Sequence, residues 1–211
     1  MSTLLTNLKQ RLIITYSLIL RLDNTTDKIY WRKAMSSVLV LIDWENITKN
    51  IIGGKYKPEK FSCAAGLKKL YAWINSEVEN VFDTFLFTPL FIMYTDYQLF
   101  HDHNLVPITC PKVPLGSAEK KDTVDQILID KGLKWITHPA LTHICLVSGD
   151  SDFKPLLLEA KARGLLIMIS ALNPSLARDP EHPPLSKELE KMADISPKTG
   201  EKMIHYFSPI I

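Results

Sequence analysis

With 211 residues, 24.0 kDa and 46% hydrophobic residues, the chain suits one compact domain with a sizeable core, with or without appendages. Its 25 Lys and Arg against 23 Asp and Glu leave a net charge of +2, which excludes a broadly basic nucleic-acid-binding face; any such surface is a local patch. Three scattered cysteines (Cys63, Cys110, Cys145) form no CxxC pair, which argues against structural zinc and a disulfide framework and reads as cytoplasmic.

In chain order, Leu5, Leu8, Leu12, Tyr16 and Ile19 recur at helical spacing, and Arg11 and Arg21 bracket an apolar run too short to cross a bilayer. Residues 1–36 therefore read as a packing or homo-oligomerisation helix without stable membrane insertion; a membrane-surface helix and a processed or disordered leader, for which no convincing cleavage site is seen, are the alternatives. Ser37 to Ile42 is a continuous apolar run ending at Asp43, the pattern of a central parallel strand. A helix is expected from about Pro58 to Asn80, a second strand over Leu90–Tyr94, and a short edge strand over Asn104–Thr109, demoted by Pro107. Cys110–Ser117 reads as a loop, and Ala118 to about Lys131 as a helix capped by Ser117. His143–Val147 is the next strand. Asp152–Arg163 follows as a helix closed by Gly164, and Leu165–Ile169 as another strand. After a proline-rich stretch come a helix from Ser186 to Ala193 and a last short strand near Tyr206 and Phe207. Alternating strands and helices predict a three-layer α/β/α fold with a mostly parallel, Rossmann-like sheet whose ligands bind at the carboxyl ends of the strands.

Three acidic clusters fall at such positions: Asp43-Trp44-Glu45-Asn46, Asp122-Thr123-Val124-Asp125 and Ser148-Gly149-Asp150-Ser151-Asp152. Each acid taken singly also fits a helix cap or a first-turn carboxylate. Together, Asp43, Asp125, Asp150 and Asp152 would repel one another unless a cation compensates. All-oxygen donors without Cys or His favour Mg²⁺ or Mn²⁺, and such ions equip a site for phosphodiester hydrolysis.

Leu41-Ile-Asp-Trp-Glu-Asn-Ile47, Thr123-Val-Asp-Gln-Ile-Leu-Ile-Asp130 and Val147-Ser-Gly-Asp-Ser-Asp-Phe153, in that order, resemble the three signatures of the NYN domain family of PIN-like nucleases. The likeness runs on through Leu157, Ala160, Lys161 and Gly164 to a closing helix ending at Ala193-Asp194. It implies a metal-dependent ribonuclease over residues 37–195, with 196–211 as a tail. It makes Asp43, Asp125 and Asp150 metal ligands and Asp152 a further ligand or water-orienting acid, with Asp130 a less certain carboxylate. Asn46 would fix Asp43 or touch substrate, and Ser148 would be a phosphate contact or a support behind the ligands. The sequence departs from the family at Asp122, where a lysine is often found; Lys120 and Lys121 stand nearer the loop.

Lys112, Lys120, Lys121 and Lys154 are candidates to neutralise RNA phosphates, against the plainer reading of a solvated face. Trp44, Tyr94 and Tyr97 are expected to be structural, with base stacking as the alternative. His101, Asp102, His103 and His138 do not make a metal cluster. A small-molecule phosphohydrolase would place its paired aspartates on the first strand, whereas here the DxD lies on a later one. A catalytically silent module binding RNA or protein through the same scaffold remains the rival from another class.

Overall fold

The computed structural model describes residues 35–49, 62–111, 113–115, 119–121, 123–176 and 183–210. The expected N-terminal helix lies outside these residues, as do Lys112 and Asp122. Six parallel strands form the main sheet: β1 (Ser37–Asp43), β2 (Asn80–Pro89), β3 (Val106–Cys110), β6 (His143–Val147), β7 (Leu166–Leu172) and β8 (Ile204–Phe207). Their spatial order is β3-β2-β1-β6-β7-β8, so the chain winds outward from β1 in one direction, then returns to its other side. That reversal lies between β1 and β6, where the crevice of a doubly wound fold opens.

Every residue of β1 is buried, and the alternation of its side chains sorts them between two cores. Leu39 and Leu41 face one core with Leu128, Leu156, Leu157, Ala160 and Leu189. These come from α4 (Val124–Trp135), α5 (Lys154–Ala162) and α6 (Lys187–Met192). Val38, Val40 and Ile42 face the other core with Ile47, Leu67, Leu70, Ile74 and Phe100. Those belong to α1 (Trp44–Lys49), α2 (Cys63–Glu77) and α3 (Leu90–Asp102). Helices on both faces of a parallel sheet make a three-layer α/β/α fold.

Local signals set the ends of the helices, of which Gly164 was expected. Ser62 caps α2 through Ala65 N at 3.2 Å, Ser186 caps α6 through Leu189 N at 3.2 Å, and Gly164 takes the positive φ of 82° that follows α5. Pro107 lies in the edge strand β3.

Two elements differ from expectation. Leu90–Tyr94 is not a strand but the start of α3, and the strand is the preceding segment, Asn80–Pro89. A five-residue apolar run carries no period of its own; continued to Asp102, it sets Ile92, Met93, Leu99 and Phe100 inward at helical spacing. The helix expected from Ala118 begins at Val124 instead, with Thr123 rather than Ser117 at its N-cap. Before it, β4 (Val113–Leu115) and β5 (Glu119–Lys121) pair antiparallel, so the expected loop contains a strand. Glu119-Lys120-Lys121 offers a helix no apolar residue to bury against the core.

Candidate metal centre

Val38 to Ile42 pair in register with His143 to Val147, so the two chains leave the sheet side by side at Asp43 and Ser148. The Ser148 hydroxyl donates to Asp43 Oδ2 at 3.3 Å and accepts the Asp150 N–H at 3.3 Å. Asp43 Oδ1 accepts the Asn46 N–H at 3.0 Å. Asp43 is only 3% exposed, and its carboxyl is pushed up to about 7. Burial is the main cause; the Asn46 N–H opposes it, the Asp125 charge reinforces it, Ser148 opposes it, and Glu45 adds a smaller push.

After β6 the chain turns at Gly149 under the segment that leads to α6. Ser186 N donates to Gly149 O at 3.0 Å, and a Cβ at residue 149 would lie 1.4 Å from Pro184 O. Only glycine fits that passage. Asp150 then caps the short 3₁₀ turn Ser151–Phe153, its Oδ1 accepting the Asp152 N–H at 3.0 Å. Phe153, fully buried, anchors the turn.

The third contribution comes from the first turn of α4, whose Val124 and Leu128 are buried against the sheet while Asp125 faces the turn after β6. One carboxylate oxygen each from Asp125, Asp150 and Asp152 lies within 4.8 Å of the others. The first two are half-buried and Asp152 is exposed, so the cluster is open to solvent on one side. The donor set is all oxygen and wholly anionic, which fits a hard divalent cation and relieves the mutual repulsion. Asp43 stands behind this triad, joined to it through Ser148 and through its electrostatic effect from Asp125.

The other candidates fall into distinct places. Ser148 is fully buried and lies behind the carboxylates, hydrogen-bonded to Asp43 and to the Asp150 N–H. Asn46 is half-buried and holds Asp43 through its backbone N–H. Asp130 is exposed, accepts Gln126 Nε2 at 2.9 Å and is not among the clustered acids. Lys154 lines the cleft in front of Asp125 and Asp152 and pairs with Glu188 at 2.5 Å. Lys120 and Lys121 sit on β5, the strand just before α4. Trp44 is fully buried, edge-on to Phe100 and Phe207, with Nε1 donating to Asp96 Oδ2 at 2.8 Å; it cannot stack a base. Tyr94 and Tyr97, expected in structural positions, are 71% and 57% exposed on α3. No histidine joins a metal cluster among the described residues.

Asp194, which sequence reasoning placed only at the end of a closing helix, accepts Ile167 N at 2.9 Å and Lys161 Nζ at 2.8 Å. It ties the chain beyond α6 to both β7 and α5. The contact between Gly149 and Pro184 had no signal in the sequence beyond the glycine itself.

A family profile described as NYN domain matches residues 37–194. The chain belongs to the NYN domain family. It is thereby a member of the PIN-like nuclease superfamily, and the match spans β1 through Asp194. The fold also resembles a crystal structure of a protein of unknown function from Vibrio parahaemolyticus. The TM-score is 0.56 and the identity 15%, over 78% of this chain and 93% of that one. Among curated proteins, none matches the chain. No helix among the described residues is long and apolar enough to cross a membrane.

Proposed function

We propose that this NYN domain is a metal-dependent ribonuclease that hydrolyses RNA phosphodiester bonds at the aspartate cluster, in the cytoplasm. The observation that carries this reading is the convergence of Asp125, Asp150 and Asp152 within 4.8 Å at the carboxyl edge of the sheet. Those three residues would hold Mg²⁺ or Mn²⁺, with Asp43 as a further ligand or as the group that sets the cluster's charge. A divalent ion bound there supplies charge neutralisation at the phosphate and activation of a water molecule.

The chain's own residues do the rest. Ser148 fixes the start of the Asp150 turn from inside, and Asp150 in turn fixes Asp152. Asp152, the most exposed of the three, would orient the attacking water and take its proton. Lys154 borders the cleft, and a substrate phosphate would compete with Glu188 for its ammonium. Lys112, Lys120 and Lys121, flanking or within the β4–β5 segment, would steady neighbouring phosphates, and Asn46 would hold Asp43 in place.

Asp150→Asn keeps the shape of the side chain and removes one charge. RNA cleavage should fall at least about a hundredfold, and thermal unfolding should change little. The assay compares wild type and variant on RNA, single-stranded DNA and duplex DNA with Mg²⁺, Mn²⁺ or EDTA. Equal rates in the two proteins would trace the activity to a contaminant. A wild type that binds RNA yet leaves a broad panel intact would make the domain a silent binding module.

A further inference from the structure

α3 carries an inner and an outer seam. Inward, Ile92, Met93, Leu99 and Phe100 pack into the core, and Asp96 Oδ2 accepts Trp44 Nε1 at 2.8 Å. Outward, Leu90, Tyr94, Tyr97 and His101 follow one another at intervals of four, three and four, which sets them in one line along the helix. All four are exposed, Leu90 by 48% and the His101 side chain by 69%, with Tyr94 and Tyr97 between them. The rings of Tyr97 and His101 stand 6.4 Å apart along this line. Exposed apolar residues scattered singly need no explanation, but a line of them marks an interaction surface. Alternating intervals of four and three are the spacing by which one helix receives another.

The charges of α3 select the occupant. The helix carries no Lys or Arg, so the line offers nothing to a phosphate or an anionic headgroup. Its ends are unbalanced instead. The first turn has no acidic residue and Pro89 gives it no side-chain cap, whereas Asp102 stands at the carboxyl-terminal end, where the helix dipole opposes a negative charge. A second α3 laid antiparallel corrects both. With the two-fold axis between Tyr94 and Tyr97, Tyr94 of each copy faces Tyr97 of the other and Leu90 faces His101. Asp102 then reaches the uncapped first turn of the other copy. We infer that α3 is the interface of a homodimer, two copies pairing antiparallel through Leu90, Tyr94, Tyr97 and His101. By their size and exposure, Leu90, Tyr94 and Tyr97 bring roughly 400 Å² per copy, hence roughly 800 Å² for the pair before its rim is counted. That is the low end of specific interfaces, so the dimer forms in the micromolar range. None of these residues belongs to the aspartate cluster, so the dimer stands or falls independently of the nuclease reading.

Sedimentation equilibrium of the full-length chain tests this. Wild type should pass from monomer to dimer with a Kd of about 10 μM. Tyr94→Lys and Tyr97→Glu, both at exposed positions, should each weaken the dimer at least about tenfold and leave thermal unfolding unchanged. Mixed in equal amounts, the two variants should associate at least about fivefold more tightly than either alone, because opposite charges then face each other across the axis. A wild type that stays monomeric up to about 200 μM overturns the dimer and leaves α3 to a helix of another protein. A dimer that neither substitution weakens overturns α3 as its interface and moves the self-association elsewhere, residues 1–36 included. Loss of the dimer in both variants without recovery on mixing overturns the antiparallel pairing.

Discussion

Asp43 is a carboxylate held where a charge is costly. Its surroundings are the buried end of β1, and two further acids, Asp125 and Glu45, act on it with the same sign. Glu45 is itself only 3% exposed and pairs with Lys49. Two hydrogen bonds, from Asn46 N and Ser148 Oγ, only partly offset the burial. Asp43→Asn keeps the volume and an acceptor for the Asn46 N–H, and the Ser148 hydroxyl has a lone pair for the new amide. In EDTA the variant should therefore be as stable as wild type or more so, by about 1 kcal/mol in urea unfolding, while its Mn²⁺ affinity falls. A metal-free variant clearly less stable than wild type would make Asp43 a structural anchor rather than a site residue. At this scale the meeting of Asp125, Asp150 and Asp152 was legible because each follows a strand or opens a helix. The inward-facing hydroxyl of Ser148 was not, since the same residue type serves on either side of a carboxylate.

Strands were the most legible elements wherever both faces are buried. His143–Val147 lies where the sequence places it, and Ser37–Ile42 needs only Asp43 added, because continuous apolar runs between polar residues leave one reading. The start of α3 was hidden: Leu90–Tyr94 has the composition of a strand, and its helical period emerges only with Leu99 and Phe100. The β4–β5 pair was hidden for the opposite reason, since among the described residues these strands bond to each other and not to the six-stranded sheet. Least visible was the fit between two elements at Gly149. The passage under Pro184 is set by tertiary packing, and the adjoining turn carries both Asp150 and Asp152. In Gly149→Ala the new methyl group would meet Pro184 O at 1.4 Å and Pro184 C at 2.5 Å, both backbone atoms that cannot swing aside. The expected cost is about 3 kcal/mol or more in unfolding free energy, with weaker Mn²⁺ binding even in the folded fraction, because the turn must lift to make room. Calorimetric unfolding together with metal titration checks both. A variant with wild-type stability and affinity would show that the 183–186 segment yields freely.

Across the whole molecule the two ends of the sheet carry opposite electrostatic problems. The carboxyl end gathers acids; the amino end buries His143, paired in register with Val38 at the start of β1. Thr142 Oγ1 lies 2.7 Å from its Nδ1, whereas Nε2 has no hydrogen-bond partner among the described residues. Burial holds the imidazole down to about 4 from its ordinary 6.5; nearby Lys198 works in the same direction and Asp194 against it. The folded chain thus resists a proton that the unfolded chain accepts between pH 6.5 and 4. Stability from His143 is complete above pH 6.5 and drains away as pH falls through that window, by about 3 kcal/mol at most. Asp43 acts with the opposite sign: its raised value means that the folded state gains as pH falls from about 7 towards 3.8. The two slopes overlap, and the Asp43→Asn background separates them. In that background, without metal, urea unfolding between pH 7.5 and 4.5 should show a steep loss of stability on acidification. Adding His143→Phe should flatten it, leaving the smaller slope of His205, which is also held down to about 4 but is only half-buried. An unchanged slope after His143→Phe would show that the acid sensitivity of the fold arises elsewhere.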